Sequence, residues 1–112
     1  MSQGPRDVSE LEGVLAATDL VEFQAGAVVS RTLVKKPTGT VTVFAFAAGE
    51  GLSEHTAPFD ALALSLQGEA DISISGRAYR VGPGQILKLP AGEPHAVKAA
   101  TPFKMLLIMI RA

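Results

Sequence analysis

Two side chains in this sequence can do chemistry near neutral pH: His55 and His95, forty residues apart and the only histidines in the chain. A neutral imidazole offers one N–H donor and one lone pair. A pair of them can therefore share a divalent ion, position a hydrogen-bonding ligand, or take up a proton. Each follows a glycine-containing turn and is expected to open an apolar strand. Taken singly, either one could simply satisfy a backbone carbonyl at a half-buried position. Cysteine is absent, which removes disulfides, a thiolate nucleophile and any Cys-ligated zinc site.

The spacing around the histidines carries more than the histidines alone. Around His55 the order is Gly49, five residues, His55-Thr56-Ala57, three residues, Ala61, six residues, Gly68. Around His95 it is Gly84, five residues, Pro90-Ala91-Gly92, two residues, His95. This pattern resembles the two motifs of the cupin family, G-x5-H-x-H-x3,4-E-x6-G and G-x5-P-x-G-x2-H-x3-N. The match holds at Gly49, His55, Gly68, Gly84, Pro90, Gly92 and His95, and the resemblance runs from about Val28 to the C-terminus.

In the family, three histidines and one glutamate hold iron, manganese, nickel, copper or zinc. Here Ala57 stands at the second histidine, Ala61 at the glutamate (Leu62 with the longer spacing), and Ala99 at the asparagine. Only His55 and His95 carry over as metal ligands. A catalytic ion normally has about three protein ligands and an open position, so the resemblance implies weak or absent metal binding. Asp60 is a candidate third ligand. One residue out of phase with Ala61, it would face away in a strand, but Pro58-Phe59 just before it can break that parity. Glu54 has the same offset from His55. Met105 and Met109 share a strand face, but a thioether suits only a soft ion such as Cu(I), and core packing accounts for them better.

The elements that must position these residues are short strands between turn residues. Strands are expected over Val28–Lys36, Thr40–Ala47, Ala61–Leu66, Ala70–Ile74, Ala78–Val81, Ile86–Leu89, His95–Ala99 and Phe103–Arg111, with Ser75-Gly76-Arg77 as a hairpin turn. Ser9 and Glu12 have the spacing of a capping box, with Leu11, Val14 and Leu15 at helical spacing. The expectation is an all-β antiparallel jelly-roll barrel (residues 26–112) behind an N-terminal extension (residues 1–25) with a short helix. If Ala61 faces inward, so do Ala63 and Ser65. Together with Ala57 these small residues would line a pocket beside the histidines, unless Phe44, Phe46 or Phe59 fills it. Leu62, Leu64 and Leu66 then face outward and need cover, either from a second copy in a homodimer that Val28–Lys36 also joins or from the N-terminal helix.

Bulk properties narrow the function classes. A net charge of −1, from ten basic and eleven acidic residues, with Lys35-Lys36 the densest basic cluster, argues against a nucleic-acid partner, which needs several aligned cations. The polar N-terminus lacks the apolar stretch of a signal peptide. The longest apolar run, Met105–Ile110, is far short of the ~20 residues that span a bilayer. The default is a cytoplasmic protein without a membrane role. The reading that results is a small-molecule-binding barrel with a histidine-containing pocket and weak metal affinity. Its alternative is a metal-dependent enzyme of dioxygenase or isomerase type acting on a small organic substrate.

Overall fold

Short runs of β-branched and apolar residues broken by glycine and proline become strands throughout the computed structural model, which describes residues 13–111. In chain order these are β1 (Val28–Lys36), β2 (Gly39–Phe46), β3 (Gly51–His55), β4 (Phe59–Gln67), β5 (Ala70–Ile74), β6 (Arg77–Val81), β7 (Ile86–Leu89), β8 (His95–Ala99) and β9 (Phe103–Arg111). They pair antiparallel into a five-stranded sheet, β1-β2-β9-β4-β7, and a four-stranded sheet, β3-β8-β5-β6. The two sheets enclose one core, as the jelly-roll expectation requires.

Two turns show why the register holds. Ser75 and Gly76 have φ of 49° and 83°, the positive pair that a two-residue hairpin needs to match strand twist, and Ile74 lies opposite Arg77 across it. Gly68 has φ of 77°, and a Cβ there would overlap the Pro102 carbonyl oxygen. Only glycine lets the β4–β5 turn pass so close to the start of β9. On the outer side of the β5–β6 hairpin, Arg80 donates to both Asp71 oxygens at 2.7 and 3.1 Å and to Glu69 at 3.2 Å. The hydrogen bond from Arg80 holds the Asp71 carboxyl below its usual range.

Strand alternation sends one set of side chains into the barrel. Phe46, Ile72 and Phe103 are fully buried, with Ala63, Ala70, Val97, Ala99 and Met105 packed among them. Phe46 lies 5.8 Å from Phe44 and 5.6 Å from Phe103, ring centre to ring centre. The opposite face of the larger sheet carries a second apolar cluster. Val43, Ala45, Leu66 and Leu106 pack there against Leu20, Val21 and Phe23 of the N-terminal segment.

That segment departs from the sequence expectation. Ser9, Leu11 and Glu12 lie outside the described residues. The part that is described contains one 3-10 turn, Ala17–Leu20, and no α-helix, while Val14 is fully exposed. Tertiary contacts anchor it to the larger sheet. Lys104, itself buried, donates from Nζ to the Thr18 carbonyl at 2.6 Å and sits 4.7 Å from the Phe23 ring centre. Arg31 donates to the Leu20 carbonyl at 3.1 Å. These two bonds tie the turn to β9 and β1. Leu66 is thus covered by the chain's own N-terminal segment. No helix among the described residues is long and apolar enough to cross a membrane.

Candidate functional site

The two histidines meet on adjacent strands. His95 opens β8 and His55 closes β3, and the two are direct partners in the ladder. Their ring centres lie 4.4 Å apart with planes at 70°. The expectation that both open a strand holds for His95 and fails for His55. Gly51-Leu52-Ser53-Glu54 carries little apolar alternation, so β3 gives a weak sequence signal, and a register shift between Leu52 and His55 bends its end. The turn before β8 is braced against the chain after β3. Gly92 donates its N–H to the Ala57 carbonyl at 2.9 Å, and the Ala91 N–H donates to Asp60 Oδ1 at 3.0 Å.

Each ring faces a carbonyl two residues back in its own chain: His55 Nδ1 lies 2.8 Å from the Ser53 oxygen, and His95 Nδ1 lies 3.1 Å from the Glu93 oxygen. A carbonyl can only accept, so in the neutral ring Nδ1 carries the proton and Nε2 keeps its lone pair. The local hydrogen bond anticipated for a lone histidine is present in both, and it leaves Nε2 of each as an acceptor or ligand. His55 is exposed and His95 half-buried. The pair therefore sits at the barrel mouth, shallower than the barrel interior that the motifs suggest, because β3 is an edge strand.

The small residues behave unequally. Ala61 (5% exposed), Ala63 (1%) and Ser65 (1%) all face inward. Ala63 packs with Phe46, Phe103 and Met105 in the main core, and the Ser65 hydroxyl donates to the Gly68 carbonyl at 3.2 Å. Leu107 and Met109 of β9 and Leu87 and Leu89 of β7 occupy the same layer as Ala61 and Ala63. Ala57 is half-buried in the link between β3 and β4. Asp60 is exposed and spends one carboxylate oxygen on the Ala91 N–H.

Among the described residues, no three His, Cys, Asp or Glu side chains stand close enough together to hold a metal ion. Two imidazoles alone do not fit the four-ligand ion that the motifs imply. An open groove of about 450 Å³ does exist, but it lies along the seam between β6 and β7, against Tyr79, Val81, Gln85 and Leu87, away from the histidines.

Sequence reading missed one feature of the mouth. Phe59 and Arg111 are direct partners across β4 and β9, and the Arg111 guanidinium lies 5.5 Å above the Phe59 ring centre. The alternation Met105, Leu107, Met109, Arg111 along β9 is the signal that could have found it, since it puts Arg111 on the face that lines the barrel.

Comparison with known proteins agrees with this geometry. The cupin domain family model matches residues 42–110. A conserved protein of unknown function from Streptococcus pyogenes superposes with a TM-score of 0.89 at 35% identity, over 100% of this chain and 98% of its own. A cupin superfamily protein from Desulfitobacterium hafniense does so at 0.87 and 33%, over 91% of this chain and 94% of its own. A cupin 2 conserved barrel domain protein from Leptotrichia buccalis is 44% identical with a TM-score of 0.82, over 84% of this chain and 46% of its own length. No functionally curated protein matches the chain. With more than half its length matched by the family model and two near full-length relatives above 30% identity, this chain belongs to the cupin superfamily.

Proposed function

We propose that this cupin binds a small molecule at the barrel mouth through the paired Nε2 atoms of His55 and His95. The observation that carries the reading is the doubled local geometry. Both Nδ1 atoms are engaged by carbonyls two residues back, and the rings stand 4.4 Å apart. A ligand bearing two N–H or O–H donors would bridge two acceptors that are already oriented. A divalent ion (Zn, Ni, Fe, Mn or Cu) would find only two protein ligands there and bind weakly. The alternative, a metal-dependent dioxygenase or isomerase, calls for ligands that Ala57 and Ala61 do not supply.

Long-range proton–nitrogen NMR on histidine-labelled protein is the test. Both rings should appear as the Nδ1–H tautomer at pH 8. Polar small molecules that raise the melting temperature should shift both Nε2 resonances. Replacing either histidine by alanine should weaken those ligands by roughly 2- to 10-fold, one hydrogen bond each, about 0.5–1.5 kcal/mol. Stabilising ligands indifferent to both substitutions would overturn the reading.

We also propose a homodimer. With Leu66 covered by the N-terminal segment, Leu62, Leu64 and Ile108 remain half-buried on the outer face, flanked by Ile86 and Ile110, each 56% exposed. A contiguous apolar patch of this kind favours a self-complementary contact. Sedimentation at micromolar concentration should give twice 11.6 kDa, and Leu64→Asp should return the monomer. A wild-type chain that sediments as 11.6 kDa would refute the dimer.

A further inference from the structure

We infer that the molecule bound at this mouth is a small carboxylate, and that Arg111 holds its carboxylate while hydroxyls at its other end reach the imidazole pair. This rests on the ligand-binding reading above and narrows it to a chemical class. Arg111 is held from three directions. Its backbone N–H donates to the Thr38 carbonyl at 2.9 Å, its Nε donates to the Pro37 carbonyl at 2.9 Å, and its guanidinium rests on the Phe59 ring. Those contacts use one of the five side-chain N–H donors that a guanidinium carries. The four on Nη1 and Nη2 have no protein partner among the described residues, where the ion pairs are those of Arg80 with Glu69 and Asp71. An arginine fixed in place with its fork free is preorganised for bidentate recognition of a carboxylate.

Arg111 and the histidines belong to the same end of the barrel. Phe59, its stacking partner, follows His55 by four residues, so the two lie within about 14 Å even if the link were fully extended. The intervening stretch is tied to the turn before His95 by the Gly92–Ala57 and Ala91–Asp60 hydrogen bonds. Two rows run across the inner face of the larger sheet at this end. One is Thr40, Met109 and Ala61, and the other is Arg111 and Phe59. Lys35 lies opposite Thr40 at the edge of the first row and adds a second positive charge. The nearby carboxylates are occupied or turned away. Asp60 bonds the Ala91 N–H, Glu93 accepts from the Ser75 hydroxyl at 3.0 Å, and Glu54 precedes His55 on β3. A cation on one wall and two lone-pair nitrogens on the other complement a hydroxy acid, with its carboxylate toward Arg111 and a hydroxyl donating to each Nε2.

The test uses protein labelled at arginine and histidine nitrogens, titrated with malate, gluconate and galacturonate, and with the primary amide of each. At least one acid should shift Arg111 Nε and both histidine Nε2 resonances together, and its amide should bind at least tenfold more weakly. Arg111→Gln should weaken the acid at least tenfold, Arg111→Lys should weaken it less, and Arg80→Gln, remote and ion-paired elsewhere, should leave it unchanged. Circular dichroism and the amide spectrum establish that each variant is folded. If acids and amides bind equally, or acid binding survives Arg111→Gln, the carboxylate assignment is wrong while the histidine reading stands. If the acids shift Arg111 without either histidine, the bridging arrangement is wrong. If no acid binds but neutral polyols shift the histidines, the class is refuted and the parent site retained.

Discussion

Phe46→Ala should destabilise the fold by about 3–5 kcal/mol, the usual cost of truncating a fully buried aromatic. Phe46 has no exposed surface and is flanked by Phe44 and Phe103 at stacking distances. Deleting its ring removes both aromatic contacts and leaves a void. Its neighbours cannot easily close that void. Phe103 is pinned by direct ladder pairing to Phe46 itself, and Ile72 and Val97 are already packed from the opposite sheet. Since a domain of this size has roughly 5–15 kcal/mol in hand, the loss takes a large share of it. With a urea slope of about 1–3 kcal/mol/M, the midpoint should fall by more than 1 M. Val14→Ala, at a fully exposed position, should stay within about 0.5 kcal/mol of wild type. A Phe46→Ala midpoint equally close to wild type would mean that the two sheets do not pack as described.

That experiment bears on the fold, and the fold is where the sequence was most legible. Gly68, Gly76 and Gly92 sit at positive φ, and such positions are visible because few other residues tolerate them. The inward parity of Ala61, Ala63 and Ser65 was likewise readable, since a strand offers only two faces. What fills the space beside those residues was not. That depends on Leu87, Leu107 and Met109 arriving from strands remote in sequence, and no local pattern states which layer they share. The described part of the N-terminal segment shows the same limit. It forms a single 3-10 turn, Ala17–Leu20, and the carbonyls of Thr18 and Leu20 accept from Lys104 and Arg31, residues that no local reading connects to them.

The site divides the same way. Convergence of His55 and His95 followed from motif spacing, because both motifs fix turns at strand ends. Their depth did not follow. His55 ends an edge strand through a register shift, and such irregularities leave no mark in residue types. Arg111 was overlooked because a terminal arginine on an apolar strand looks like a solvated end. Only its pairing with Phe59 and its bond to Pro37 show that it is held in place.

Restoring the two ligand types the family motif carries should turn the weak imidazole pair into a tight metal site. In Ala57→His/Ala61→Glu, a third imidazole and a carboxylate join His55 and His95, whose Nε2 atoms are already free to coordinate at about 2.0–2.1 Å. Zn²⁺ or Ni²⁺ affinity should rise more than tenfold, about 1.4 kcal/mol or more. Stability should report the same change with opposite signs. Ala61 is 5% exposed, so without metal the new carboxylate is a buried charge lacking a partner, and the double variant should melt below wild type. Adding the ion should recover that loss and exceed it as concentration passes the dissociation constant, because the folded state alone assembles the four ligands. Titration calorimetry on wild type, His55→Ala and the double variant separates the contributions. Wild type should bind weakly and His55→Ala more weakly still. If His55→Ala binds as well as wild type, or the double variant gains no affinity and no metal-dependent stabilisation, the histidine rings do not converge on the point that faces Ala57 and Ala61.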